Sequence, residues 1–113
     1  ALYFATANGL RDKVREVTTN VDPPVREVLI DMEGVNYIDL EGSDMLAEIA
    51  KDMGGVGVEI HLARVKHEVM EMLEKDGVDK IIGRDHIHDK VADGVQLFTQ
   101  KEESAAENDK PHE

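Results

Sequence analysis

Along this chain the spacing of apolar residues switches repeatedly between a strand period and a helix period. Leu2-Tyr3-Phe4-Ala5 is a short apolar run that predicts a strand. Over 8–19, Leu10, Val14 and Val17 fall on one helical stripe with charges elsewhere, so a helix is expected. Asp22-Pro23-Pro24 stops it and makes a loop. The run 25–32 is apolar and β-branched, with Val28-Leu29-Ile30 as the buried centre of a second strand. Met45, Leu46, Ile49, Ala50 and Met53 place a second helix over 39–53, closed by Gly54-Gly55. Val56, Val58, Ile60 and Leu62 alternate through 56–63, a strand pattern. Val69, Met70 and Leu73 predict a third helix over 66–76, ended by Gly77. Lys80-Ile81-Ile82-Gly83 reads as a short strand or turn, and 88–100 as a fourth helix with Val91, Val95 and Phe98 inward.

This order implies an α/β domain over residues 1–100, with right-handed crossovers and a mostly parallel sheet covered by about four helices. Residues 101–113 hold no apolar residue larger than Ala and five acids against two lysines, so a disordered acidic tail is expected there. A chain of 113 residues has room for one such domain and not for two.

Charge and composition narrow the function. The net charge is −12, and −9 within the first 100 residues, a field that opposes nucleic acid and anionic membrane surfaces. Cysteine is absent, which excludes disulfides, thiolate metal sites and cysteine nucleophiles. No apolar run reaches the roughly 18–20 residues of a membrane-spanning helix.

Candidate chemistry is sparse. Gly54-Gly55-Val56-Gly57 follows a helix and precedes a strand, the reverse of a phosphate loop, so it reads as a helix cap and turn. His86-Ile87-His88, between Asp85 and Asp89, would offer two imidazoles to a metal only if extended. Because the segment leads into a helix, solvated polar residues in a helix-entry loop are expected, and no metal. His61 alternates with apolar positions and is expected at a sheet edge or under a helix. Serine occurs only at Ser43 and Ser104, and Asp39, Glu41 and Asp44 around Ser43 suit a helix N-terminus, where acids cap orphan amides.

The segment from Val35 to Leu46 carries more. An "Ile38-Asp39-x-x-Gly42-x-x-x-Leu46" pattern after a strand and opening a helix resembles the signature loop of the STAS domain, shared by bacterial anti-sigma factor antagonists and SulP-type anion permeases. Leu2-Tyr3-Phe4-Ala5-Thr6-Ala7 is similar to the permease-type strand ending Phe-Ala-Asn-Ala, with Thr6 in place of Asn. Leu62-Ala63-Arg64-Val65-Lys66 is similar to the strand-to-helix segment of permease domains. The resemblance covers about residues 2 to 100 and implies a further strand before the first one seen here, left out or supplied by a partner chain.

In the antagonist branch a kinase phosphorylates the second hydroxyl of an Asp-Ser-Ser/Thr-Gly loop. Here Leu40 and Glu41 fill the two hydroxyl positions, so the acceptor position is Glu41, and the permease branch is favoured. Ser43 is the nearest hydroxyl that phosphorylation could reach.

The resemblance therefore implies a regulatory domain, not an enzyme, on the cytoplasmic face of a sulfate, bicarbonate or related anion transporter. Its partner or ligand loop would be Asp39, Leu40, Glu41, Gly42, Ser43 and Asp44. The implied partners are the membrane transport domain of the same polypeptide, a second copy, or a regulatory protein. No cofactor is required, although some members of the family bind nucleotide; the acidic charge and the lack of a basic residue in 39–45 count against that here. A free-standing anti-sigma factor antagonist or stressosome-like scaffold is the alternative. A small metal-dependent hydrolase using Asp85, His86 and His88 is the third.

Overall fold

The computed structural model describes residues 1–19 and 22–108, without the side chains of Val17, Glu107 and Asn108. The expected inward face of Val17 and the last part of the tail, 109–113, lie outside the described residues. The elements run β1 (Leu2–Thr6), α1 (Leu10–Thr18), β2 (Glu27–Asp31), α2 (Leu40–Gly55), β3 (Glu59–Ala63), α3 (His67–Lys75), α4 (Val78–Ile82), β4 (Ile87–His88) and α5 (Val91–Asn108). A 3-10 turn at Arg84–His86 leads into β4.

The four strands are all parallel and stand in chain order, β1-β2-β3-β4. Right-handed crossovers between strands in that order carry every connecting helix to the same face. The core follows from this. Val28 and Ile30 of β2, with Ile60 and Leu62 of β3, pack under Leu10 and Val14 of α1, Leu46 and Ile49 of α2, Val69 and Leu73 of α3, and Val78 and Ile82 of α4. Each such buried aliphatic side chain contributes about 1.5–3 kcal/mol relative to exposure.

Side chains alternate across a strand, so the same strands present Glu27 and Leu29, beside Glu59 and His61, to the opposite face. Helix α5 packs there, against β2, β3 and β4. A Cβ at Gly94 of α5 would lie 3.0 Å from both Leu29 methyls, so this glycine lets the helix seat close on the sheet.

Several expectations change. The strand expected from Val56 starts at Glu59, because α2 runs to Gly55 and the turn through Gly57 at φ +82° leaves Val56 exposed. Gly57, not Gly54 or Gly55, takes the left-handed position after the helix. Of the short strand or turn expected at 80–83, residues 80–82 belong to helix α4, where Val78 and Ile82 bury one face four residues apart, and Gly83 caps it. The last strand is instead Ile87–His88, inside what reads as a helix entry. The fourth expected helix starts three residues late and continues to Asn108, beyond the expected boundary at Gln100. Its continuation has a physical reason, since Lys101 donates to Glu59 Oε2 at 2.9 Å. At the other edge, β1 pairs only with β2 among the described residues, and Phe4 on it is exposed.

Candidate functional site

At the C-terminal end of the sheet the signature loop runs into α2. Asp39 is its N-cap, with Oδ1 accepting the Gly42 N–H at 2.8 Å. A Cβ at Gly42 would lie 3.0 Å from Ile38 Cγ1 and 3.3 Å from that same Oδ1, which explains the glycine. Lys66 holds the loop from outside, donating to the Glu33 carbonyl at 2.7 Å and to Asn36 Oδ1.

Of the six residues expected as the partner loop, Asp39, Leu40, Glu41 and Asp44 are exposed and Gly42 is half-buried. Ser43 is fully buried. Its hydroxyl, the expected candidate for phosphorylation, faces the protein interior beside Asp76 in this structure. Asp44 and Asp76 stand together, and their proximity raises the pKa of Asp44 and lowers that of Asp76. Around the loop Tyr37, Leu40 and Met45 expose 76%, 56% and 41% of their surface. The helix N-terminus thus presents acids and apolar side chains, and residues 37–45 include no Lys or Arg to receive a phosphate.

Beside it a cleft of about 360 Å³ opens between Thr6, Asn8, Asp31, Val35 and Arg64. Arg64 is already committed to Asp31, with Nε 2.9 Å from Oδ1 and a second, closer contact through Nη2. That hydrogen bond holds the Asp31 carboxyl below its usual range.

At the N-terminal end of the strands, on the α5 face, lies a cluster that sequence reasoning did not assemble. His61 is fully buried in β3, under α5 as one expectation had it, and not at an edge. His86 stacks on its ring at 4.0 Å between centroids, and His88 at 5.2 Å. In place of the expected helix-entry loop, a 3-10 turn ending at His86 runs into the strand Ile87–His88, which turns both imidazoles toward His61. Glu27 and Glu59 lie 2.9 and 3.4 Å from His61 Nε2, while His86 Nε2 stands 3.9 Å from Glu59 and 4.0 Å from Asp85. Burial, then the neighbouring His61, holds both His86 and His88 below the ordinary histidine value. Burial works to raise Glu59, but the hydrogen bond and charge of Lys101, aided by His61 and Glu27, outweigh it and lower the pKa to about 2. Glu27, Glu59 and Lys101 were not singled out by the sequence; the one available signal was the charged residue at the start of each of two inner strands.

A parallel-sheet α/β module with a capped signature loop and no helix able to cross a membrane among its described residues defines a domain class. The sequence profile of the STAS domain matches residues 1–94, and the chain belongs to that family. It is 30% identical over 116 residues to Sulfate transporter 3.2 of Arabidopsis thaliana, covering 91% of this chain and 18% of the plant protein. The STAS domain of a SulP transporter from Vibrio cholerae superposes with a TM-score of 0.80 over 91% of this chain and 84% of its own, at 14% identity. Murine Slc26a9, an anion transporter, superposes at 0.70 with 28% identity over 84% of this chain and 16% of its own. The chain is thus homologous to a domain of SulP/SLC26 anion transporters and spans less than a fifth of these two full-length relatives.

Proposed function

We infer that this chain is the cytoplasmic regulatory and docking domain of a SulP-type anion transporter, performing neither transport nor catalysis itself. The observation that carries this is the likeness to the plant sulfate transporter along 91% of the chain, at 18% of that protein's length. The transported anion, sulfate, bicarbonate or a relative, is handled by a membrane domain of the same polypeptide.

The loop at 37–45 is the docking surface. Tyr37, Leu40 and Met45 offer exposed apolar area beside Asp39, Glu41 and Asp44, a combination suited to a basic, partly apolar partner face. That face belongs to the transport domain, a second copy or a regulatory protein. Glu41 at the phosphoacceptor position and the buried Ser43 speak against the kinase-switched, free-standing antagonist reading.

The test is an immunoblot of fractionated source cells with an antibody to this domain. A band far above 12.6 kDa in the membrane pellet supports the reading. A band near that mass in the soluble fraction contradicts it.

A further inference from the structure

The geometry points to a divalent transition-metal site, of the kind zinc occupies, built from Glu27, Glu59, His61 and His86 on the α5 face of the sheet. It lies at the opposite end of the strands from the docking loop and does not depend on it.

The donor atoms already stand close together. His61 Nε2 is 2.9 Å from Glu27 Oε1 and 3.4 Å from Glu59 Oε2, and His86 Nε2 is 3.9 Å from Glu59 Oε1. One ligand atom each from Glu59, His61 and His86 lies within 4.8 Å of the others. A tetrahedral ion with bonds of about 2.0–2.2 Å needs ligand atoms about 3.3–3.6 Å apart, so on binding Glu27 moves away from His61 and the stacked His86 ring turns until its Nε2 converges with that of His61.

Glu27 is the independent observation. It is 1% exposed, yet neither carboxylate oxygen accepts an aligned hydrogen bond. Its charge is met only by the His61 ring at 2.9 Å and by Lys101 Nζ at 3.7 Å. A buried carboxylate without aligned donors is costly, and a cation between it and His61 lowers the cost.

The outer arrangement fits as well. A metal on His61 Nε2 fixes the proton on Nδ1, which lies 2.9 Å from His88 Nε2 and donates to it. Metal-bound histidines are characteristically held by such a second hydrogen bond. A cleft of about 280 Å³ between Glu27, Glu59, Phe98 and Lys101 gives a route in. A divalent ion brings two charges where Lys101 brings one, and replaces it against Glu59. Two imidazoles among the donors select zinc-like ions over Mg²⁺ and Ca²⁺, which prefer oxygen.

The experiment uses the 113-residue chain, stripped with a chelator and titrated with ZnCl₂, with MgCl₂ in parallel, reading bound metal and melting temperature. One Zn²⁺ per chain and a melting temperature raised by several degrees are expected, because a ligand of the folded state stabilises it. His86→Ala and Glu59→Gln change partly exposed side chains, and each is expected to leave the metal-free melting temperature within a few degrees and to weaken Zn²⁺ binding at least about tenfold. His67→Ala, on the exposed side of α3, leaves binding unchanged. No Zn²⁺ uptake, an equal shift with Mg²⁺, or wild-type affinity in both His86→Ala and Glu59→Gln overturns the site.

Discussion

Arg64 reaches back from the end of β3 to grip the Asp31 carboxylate at the end of β2, and it does so from a left-handed backbone at φ 58°. A non-glycine residue there costs about 1–2 kcal/mol. The fork, partly exposed, returns about 1 kcal/mol or less. Arg64→Ala loses the fork and keeps the strain, whereas Arg64→Gly loses both. We expect urea unfolding at pH 7 to place Arg64→Ala about 1 kcal/mol below Arg64→Gly. The folded-state pKa of Asp31 is depressed, so the pair's contribution is present above the unfolded value of 3.8 and is lost as the pH falls below it. The gap between wild type and Arg64→Ala should therefore narrow in acid. A gap independent of pH would contradict the pairing.

The cap of α2 makes a second prediction. Asp39→Ala removes the acceptor of the Gly42 N–H and should cost about 1 kcal/mol. Gly42→Ala pushes a methyl at Ile38 and at the same carboxylate, so it should also destabilise despite alanine's better helix propensity. Because both act on one contact, the double variant should lose less than the sum. Additive losses in equilibrium unfolding would show that the two are independent.

Ser43→Glu places a charge at a site without solvent access. Such a charge is expected to cost about 3 kcal/mol or more, enough to leave the chain largely unfolded or with a strongly lowered melting temperature. A near-wild-type melting temperature for this variant would restore Ser43 as a modification site.

Much of the fold was readable because its signals are local. The stripe on α2, the alternation at Val58, Ile60 and Leu62, and the Asp39-x-x-Gly42 cap each lie within one element. What escaped depends on contacts across the fold. A two-residue strand at Ile87–His88 is too short to show alternation, and α4 is a single turn whose apolar residues read equally as a strand. The same short strand hid the histidine cluster. With 86–88 taken as a helix entry, His86 and His88 diverge, and only β3–β4 pairing brings them onto His61. Lys101 was assigned to the tail by composition, and its ion pairs with Glu59 and Glu27 belong to residues more than forty positions away. Burial of Ser43 follows from the phase of α2, which places it one turn before Ala47 on the face that packs inward.

The most direct measurement of the central claim is anion flux by the full-length transporter in proteoliposomes, comparing wild type with Tyr37→Ser/Leu40→Ser. Both side chains are more than half exposed, so the domain itself should stay folded. A clear fall in flux at equal protein incorporation is expected, because the docking surface has lost its apolar contacts. Unchanged flux in the double variant would contradict a regulatory role for this surface.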